Sequence, residues 1–239
     1  MEMSKKEKIF SNLFIFALII VVVISSFFIN TNKVTTIASN SEYNGTIYAG
    51  DKLSKNVSIM VNVYWGNEYL ETMLQTFKKY EIKTTFFVGG SWVIENQDLL
   101  KKIKDEGHEI ASHGYSHKEH EKLDYKGNLI EIQKCHNVVK EIVGIDMELF
   151  APPSGSYNKQ TIKAAGDLGY KTIMWTRDTI DWRDKNIDLI YTRAMSGISG
   201  GDLILTHPTK CTAAVLDKII QDIQGKGFKL TTVSETLGF

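Results

Sequence analysis

The chain is predicted to be an α/β protein: a distorted (β/α) barrel of about seven parallel strands, preceded by one N-terminal transmembrane helix. Three observations predict this architecture. Short runs rich in β-branched and aromatic residues alternate with segments whose apolar residues recur at helical spacing, which is typical of a parallel sheet. Histidines and carboxylates follow several of the predicted strands, where α/β barrels place their sites. An uncharged run, residues 9–29, precedes all of these elements.

The uncharged run has the length of a membrane span. Its 21 residues would cover about 30 Å at about 1.5 Å per residue, the thickness of the hydrocarbon core. Lys5, Lys6 and Lys8 precede it, and basic flanks favour the cytoplasmic side. We therefore expect a cytoplasmic tail (1–8), a transmembrane signal anchor (9–29) and an extracytoplasmic remainder, as in a single-pass protein of the cell membrane. A cleaved signal peptide is the alternative, with a poor cleavage site at residues 36–38.

Residues 30–56 are rich in Asn, Ser, Thr and Lys and lack a sustained apolar period. They are interpreted as a linker, and residues 57–239 as the folded domain. The predicted strands of this domain are apolar runs at 57–63, 84–88, 109–112, 149–150, 171–175, 202–206 and 228–230.

The predicted helices are the amphipathic segments between these strands, at 69–80, 98–106, 129–143, 158–168, 187–195 and 212–224. Four of them end at a glycine, as helices commonly do: Gly107, Gly144, Gly169 and Gly225. After the strand at 149–150, two prolines exclude a helix.

Composition excludes one class of partner and leaves another question open. The chain has 28 basic and 28 acidic residues, so no charge excess points to nucleic acid. Its two cysteines, Cys135 and Cys211, could pair in an oxidising compartment, but two buried free thiols are the favoured interpretation.

Three histidines are candidates for chemistry. His113 and His117 lie four residues apart directly after a predicted strand, and His207 follows another. Neutral imidazole is a common ligand of zinc-like metals, and two converging imidazoles supply two of the three protein ligands of a catalytic site. The alternative is a pair of histidines that pack at the barrel mouth without metal.

Five segments carry a family resemblance. In chain order they are 62–66 (NVYWG), 113–117 (HGYSH), 150–155 (FAPPSG), 178–182 (DTIDW) and 205–207 (LTH). The chain resembles the polysaccharide deacetylase family (NodB homology domain, carbohydrate esterase family 4) over residues 57–239. The resemblance implies a metal-dependent hydrolase that removes acetyl groups from N-acetylated cell-wall glycan. It also implies that His113 and His117 bind the metal, and that His207 is a general acid held by Asp181 or Asp178.

The same resemblance has two departures. The family's first motif has two aspartates, a base and a metal ligand, where this chain has Tyr64 and Trp65. The third motif has an arginine where this chain has Ala151, a charge that Arg177 could replace. A phenol is neutral at working pH and is a poor proton acceptor. Glu68, or less well Asn62, could supply the missing ligand, so a divalent metal is expected to bind weakly or not at all.

Substrate contacts are expected from residues of these segments that can stack on a sugar, donate a hydrogen bond or shape a loop: Tyr64, Tyr115, Pro153, Ser154, Tyr157 and Trp182. The alternative for the aromatic residues is packing at the barrel rim. Of the remaining histidines, His120 and His136 are interpreted as surface or helix residues and His108 as a packing residue.

The sequence thus predicts a membrane-anchored deacetylase-family protein that acts on cell-wall glycan with impaired amide hydrolysis. Its expected partners are the glycan and, through the N-terminal helix, the membrane. A catalytically inactive glycan-binding or scaffold domain of the same fold is the alternative. A weaker one is a different hydrolase that uses Glu68 and Tyr64 in a rebuilt site.

Overall fold

The structure, a computed structural model, describes residues 42–43 and 45–239. Its strands are β1 (Glu42–Tyr43), β2 (Thr46–Ile47), β3 (Asn56–Val63), β4 (Thr85–Val88), β5 (Glu109–Ser112), β6 (Leu149–Phe150), β7 (Lys171–Ile173), β8 (Arg177–Asp178), β9 (Leu203–Thr206) and β10 (Lys229–Leu230). Its α-helices are α1 (Asn67–Lys79), α2 (Gly90–Glu95), α3 (Gln97–Asp105), α4 (Tyr125–Val143), α5 (Lys159–Asp167), α6 (Ile187–Met195), α7 (Lys210–Gly225) and α8 (Val233–Leu237).

The strands form one curled sheet in the order β1-β2-β7-β6-β5-β4-β3-β9-β8, with β10 also paired to β3. Every pairing is parallel except that between β1 and β2. The predicted parallel α/β fold is therefore confirmed, in the form of a curled half-barrel. Parallel strands place their carboxyl ends at one edge, and the segments that follow them meet there.

The two faces of the sheet carry separate apolar clusters. On β3, Val57, Ile59, Val61 and Val63 belong to a large cluster that also contains helix residues, whereas Met60 belongs to a smaller cluster inside the curl. This alternation is the period of two expected of a strand. Asn62 shares the face of Met60, at the end nearer the carboxyl edge.

The structure corrects the predicted linker at its C-terminal end. Within residues 30–56, Thr46 and Ile47 pair with Thr172 and Ile173 of β7, and Thr46 is fully buried. A two-residue strand is too short to give a periodic pattern, which is why the sequence did not indicate it. Three further elements, α2, β8 and α8, were also not predicted.

One helix begins earlier than predicted. α4 begins at Tyr125 rather than at residue 129, because the Asp124 side chain caps it by accepting a hydrogen bond from the Gly127 backbone N–H at 2.7 Å. The predicted transmembrane anchor at 9–29 lies outside the described residues. Among the residues that are described, no helix is both long enough and apolar enough to cross a membrane.

Candidate functional site

A cleft of ≈ 510 Å³ opens at the carboxyl edge of the sheet. It is lined by residues that follow β3, β5, β6, β7, β8 and β9, together with strand residues that face inward: Asn62, Tyr64, Trp65, His113, His117, Ser154, Trp175, Asp178, Trp182, Leu205 and His207. The sequence segments that were singled out for chemistry therefore converge on one place.

One side of the cleft holds His207 and a buried carboxylate. Asp181 is 4% exposed, and its Oδ1 lies 2.8 Å from His207 Nδ1. Its Oδ2 accepts hydrogen bonds from the His207 backbone N–H at 2.7 Å and from the Thr212 hydroxyl. Asp181 can only accept while ionised, so His207 Nδ1 carries the proton, and Nε2 is the nitrogen left for a ligand.

Asp178, the other predicted partner of His207, has a different contact. Its Oδ1 accepts a hydrogen bond from the Ile180 backbone N–H at 2.8 Å, and its side chain lines the cleft. The geometry therefore makes Asp181 the carboxylate that orients His207. Asp178 stays a candidate for contact with a ligand.

The other side of the cleft holds the two predicted metal ligands. His113 is buried, and its Nδ1 lies 2.8 Å from the Ala151 carbonyl oxygen. Since a carbonyl only accepts, Nδ1 donates, and Nε2 keeps its lone pair. The rings of His113 and His117 are 5.2 Å apart between centroids. Burial, with the neighbouring His117 second, holds the pKa of His113 well below its usual range, and burial also lowers the pKa of His117.

The His113 imidazole suits a zinc-like metal in its tautomer, since a ligating histidine commonly donates its other ring N–H to a carbonyl. A catalytic site nevertheless needs a third protein ligand. Glu68 lines the adjoining cleft rather than this one. No group of three or more His, Cys, Asp or Glu side chains in the described part of the chain is placed to hold a metal ion. The residues present therefore do not make up the three-ligand set of a family metal centre.

Tyr64 stands where the family has its base, and its ring is packed in place. Its hydroxyl lies 2.5 Å from Ser91 Oγ, and its ring centroid lies 5.0 Å from that of His117. An ideal Cβ at Gly89 would meet Tyr64 Cδ2 at 2.2 Å. Only glycine at position 89 therefore leaves room for this ring.

Trp65 covers His207. Their rings are parallel within 6° at 5.9 Å between centroids. The Trp65 side chain remains 44% exposed and Trp182 is 55% exposed. These two tryptophans also line an adjoining cleft of ≈ 540 Å³ together with Glu68, Lys185 and Lys210, among others. An aromatic ridge thus separates two clefts.

Three predicted contact residues lie elsewhere. The Tyr115 ring packs on Gly90, with Lys134 Nζ 5.5 Å from its centroid. Pro153 is buried beside Gly114. The Tyr157 hydroxyl bonds that of Tyr48 at 2.7 Å. None of the three lines the cleft among the residues described there, whereas Tyr64, Ser154 and Trp182 do.

Arg177 does not replace the arginine that is missing at Ala151. Its Nε donates to Asp202 Oδ2 at 2.6 Å, and its other guanidinium nitrogens donate to the carbonyls of Ser196 and Gly197. The guanidinium is therefore fully committed away from the cleft. Arg177 and Asp178 are neighbours on β8, so their side chains face opposite sides of the sheet.

His120, interpreted as a surface or helix residue, begins a short 3₁₀ helix (His120–Lys122) but does not lie on the surface. It is fully buried, its Nδ1 bonds Asn128 Oδ1 at 2.7 Å, and its ring packs on Phe150. Burial lowers its pKa. His108 packs against Phe77 and Phe86 as predicted, and His136 is a residue of α4, also as predicted. Cys135 and Cys211 are free thiols, of which only Cys135 is buried.

Backbone strain is concentrated at the cleft. His117 (φ 52), Ser154 (φ 56) and Ile180 (φ 52) adopt the left-handed region, which is uncommon for residues with a side chain and rare for a β-branched one. Such strain tends to occur at functional sites. Ile180 lies between Asp178 and Asp181, so this strained turn helps to set the positions of the two carboxylates, one lining the cleft and the other bonded to His207.

Sequence reasoning missed two residues of the cleft and undervalued a third. Trp175 lines it without having been singled out, Leu205 belonged to the segment 205–207 but was given no role, and Asn62 was considered only as a weak metal ligand. The alternation along β3 and β9 could have indicated Asn62 and Leu205, because both share a face with buried interior residues. Trp175 approaches Gly155 so closely that a Cβ there would lie 2.9 Å from its Cη2.

Comparison with known proteins supports the resemblance. The family model for polysaccharide deacetylase matches residues 49–173. The uncharacterized protein YlxY of Bacillus subtilis is 41% identical over 191 residues, which are 80% of this chain and 60% of YlxY. The peptidoglycan-N-acetylglucosamine deacetylase PgdA of Listeria monocytogenes is 30% identical over 188 residues, 78% of this chain and 40% of PgdA. This chain thus spans less than two thirds of either relative.

Two solved structures are also similar. BA3943 of Bacillus anthracis, described as a CE4 family pseudoenzyme, is 37% identical with a TM-score of 0.79, covering 82% of this chain and 70% of BA3943. A mutant of BA3943, described as having restored enzymatic activity, is 35% identical with a TM-score of 0.79, covering 82% and 72%.

Proposed function

This chain belongs to the polysaccharide deacetylase family, and on that premise we propose that it binds N-acetylated cell-wall glycan in the cleft and hydrolyses the acetamido group at a severely reduced rate. Amide hydrolysis would release acetate and leave a free amine on the sugar. The observation that carries the proposal is the pair Tyr64 and Trp65. Both side chains line the cleft, and neither can act as a carboxylate.

His207 and Asp181 are suited to the proton-donating half of the proposed reaction, in which the leaving amine is protonated. His207 Nε2 is the ring nitrogen left to deliver a proton to the leaving amine, while Asp181 fixes the tautomer and stabilises the imidazolium form. Asp181 is in turn held by Thr212 and by the His207 backbone N–H.

The water-activating half lacks its base. The Tyr64 phenol is engaged with Ser91 and is a poor acceptor for a proton of water. A general base contributes about 10²–10⁴-fold, and the family's metal would supply Lewis-acid activation of water and carbonyl. The described residues of this chain do not supply three ligands for that metal.

A catalytically inactive glycan-binding domain is the second candidate. It is favoured by the two exposed tryptophans, Trp65 and Trp182, which line both clefts and present flat apolar faces that are suited to sugar rings. Among relatives, BA3943 is described as a pseudoenzyme, which makes loss of activity a known state of this fold.

Both candidate functions require glycan binding, but only the impaired enzyme releases acetate. Calorimetric titration of the protein with tetra-N-acetylchitotetraose and with peptidoglycan fragments should give saturable binding, and acetate should be released slowly. Slow release that is abolished by His207→Ala supports the impaired enzyme. Binding without any release above that of His207→Ala supports the inactive binding domain, and absence of binding to both glycans contradicts both.

From the uncharged run at residues 9–29 and the lysines before it, we propose a single-pass anchor with the domain on the extracytoplasmic side. The full chain should fractionate with membranes, whereas residues 40–239 expressed alone should not. Release of the full chain into the medium with a new N-terminus near Ser39 would contradict an anchor and indicate cleavage.

A further inference from the structure

A buried carboxylate lies behind the turn that contains His117. Glu131, on α4, is 2% exposed. Its Oε2 accepts a hydrogen bond from the Ser116 backbone N–H at 2.7 Å, and its Oε1 lies 2.9 Å from Lys118 Nζ. Glutamate is almost never fully buried unless it is paired. The two carboxylate oxygens of Glu131 therefore bond the two residues that flank His117.

The turn itself is strained. His117 adopts the left-handed region (φ 52), a conformation that persists only where the surrounding structure imposes it. The preceding residues 113–115 are tied to neighbouring elements by backbone hydrogen bonds of 2.9 Å. In the described part of the chain, no backbone–backbone hydrogen bond involves residues 116–118. The turn is therefore tied to α4 by the Glu131 side chain rather than by backbone pairing.

The conformation of this turn decides where the His117 imidazole lies. The side chain lines the cleft, and its ring centroid lies 5.0 Å from that of Tyr64 and 5.2 Å from that of His113. A left-handed φ is uncommon for a residue with a side chain. A released turn would therefore relax to a negative φ and carry the imidazole away from both rings.

We propose that Glu131 is the positioning residue of His117: it bonds both neighbours of His117 and so holds the strained turn that places the imidazole in the cleft. Glu131 is not among the described residues that line the cleft, so its effect on a ligand passes through His117. The inference rests on the proposed function only for the ligand, an N-acetylated glycan, that the imidazole would contact.

A purely structural role is the competing interpretation, because a buried carboxylate that accepts a backbone N–H stabilises a loop whether or not the loop shapes a site. Glu109, the first residue of β5, has comparable bonds at the opposite, amino edge of the sheet. Its Oε2 accepts hydrogen bonds from the Thr85 hydroxyl and from the Ser234 backbone N–H, the latter at 3.3 Å. Glu109 is therefore a matched control for a carboxylate that supports the fold away from the cleft.

The experiment compares the full chain with Glu131→Met, which keeps the length of the side chain but accepts no such hydrogen bonds, and with Glu109→Met. NMR should show contacts between the ring protons of Tyr64 and His117 in the wild type. Glu131→Met should lose these contacts in a protein that is still folded, whereas Glu109→Met should keep them. Calorimetry should show that Glu131→Met binds tetra-N-acetylchitotetraose about tenfold more weakly, the factor by which one charged hydrogen bond changes an equilibrium. Glu109→Met should bind it unchanged.

Two further variants decide the matter if Glu131→Met does not fold. Glu131→Gln keeps an acceptor for the Ser116 N–H but loses the charge that faces Lys118, so the contacts between Tyr64 and His117 should weaken without disappearing. Lys118→Ala removes the ion pair from its exposed end, since the Lys118 side chain is 55% exposed. It should weaken glycan binding about twofold, as expected for a partly exposed pair.

Three results would overturn the inference. Contacts between Tyr64 and His117 that are unchanged in the folded Glu131 variants would show that Glu131 does not place the imidazole. Loss of the same contacts in Glu109→Met would show a general loosening of the fold and hence a structural role. Absence of these contacts in the wild type would remove the strained turn itself. If the wild type shows the contacts but binds no tetrasaccharide, the proposed function fails, and the ring contacts still decide the role of Glu131.

Discussion

The two sides of the cleft differ in the kind of contact that orders their side chains. On the β9 side, His207 and Asp181 form a complete hydrogen-bonded pair, closed by Thr212. On the β3 side, the positions of the family's two aspartates hold Tyr64, packed over Gly89, and Trp65, stacked on His207. One side therefore contains the pair that is proposed as an acid catalyst, and the other side is an aromatic wall.

The comparison shows that the cleft is ordered where the family's two aspartates are replaced by Tyr64 and Trp65. A base and a metal ligand that were simply deleted would leave a gap, yet Tyr64 bonds Ser91 and contacts His117. The aromatic side is therefore an ordered surface, which supports the proposal that the cleft binds glycan even if turnover is severely reduced.

Asp181→Ala should give the largest loss of unfolding free energy, because it breaks the buried hydrogen-bonded pair of His207 and Asp181. It leaves the His207 N–H groups and the Thr212 hydroxyl without their acceptor, and breaking a buried pair costs about 3–5 kcal/mol. Urea denaturation should show this loss of unfolding free energy. The matched control is Asp178→Ala, which removes one hydrogen bond, to Ile180, and should cost about 1 kcal/mol. Equal losses of unfolding free energy for the two variants would contradict the conclusion that Asp181, rather than Asp178, orients His207.

Acidification should destabilise the protein through its buried histidines. Burial lowers the pKa of His108 to about 4 and lowers those of His113 and His120. The unfolded chain therefore binds more protons than the folded one below about pH 6.5, so the unfolding free energy falls as pH drops below that value. The slope is at most about 1.4 kcal/mol per pH unit for each buried imidazole. Thermal denaturation from pH 7 to pH 4.5 should show a smaller slope in His108→Phe, and an unchanged slope would contradict this origin.

Gly89→Ala tests whether the Tyr64 ring is closely packed against position 89. The added methyl would lie 2.2 Å from Tyr64 Cδ2, so the variant should lose about 1–3 kcal/mol by overpacking. In a Tyr64→Asp background the clash is relieved and the loss should shrink, which a double-mutant cycle measures. Gly166→Ala, in a helix and with open space around its Cβ, should instead stabilise by about 0.5–1 kcal/mol. Additive losses at positions 64 and 89 would contradict the tight contact.

Trp65→Ala should have the smallest effect on stability. It removes the stack on His207, which is worth about 0.5–1.5 kcal/mol, from a side chain that is already partly exposed. Leu53→Ala, at a residue that is 93% exposed, should leave the melting temperature unchanged. A loss at Trp65 above that of Gly89→Ala would show that the tryptophan supports the fold rather than the cleft surface.

Most of the fold could be predicted from the sequence because it depends on periodic patterns. β5 and α6 were predicted with the bounds that the structure has, and β3 was predicted to within one residue. β2 and β8 were missed since two residues show no period. The predicted start of α4 was four residues late, because its N-cap, Asp124, follows a polar segment and no apolar period marks the first turn.

The candidate site was predicted less completely, for a physical reason. Motif order brought His113, His117 and His207 together, and the structure places all three in one cleft. Orientation could not be predicted from order: Tyr115 turns towards Gly90, Glu68 faces the adjoining cleft, and Arg177 is held by Asp202. Which way a loop side chain points depends on contacts that are distant in sequence.

The most direct test of the central claim is acetate release by the wild type and by the double variant Tyr64→Asp/Trp65→Asp, measured on the same N-acetylated glycan together with bound metal. The double change restores the family's first motif beside the intact His207–Asp181 pair. The wild type should release acetate slowly or not at all, and the double variant should gain stoichiometric zinc and release at least 10²-fold faster. Rapid release by the wild type that is lost in His207→Ala and indifferent to changes at Tyr64 would contradict the claim, because the cleft would then contain a working base.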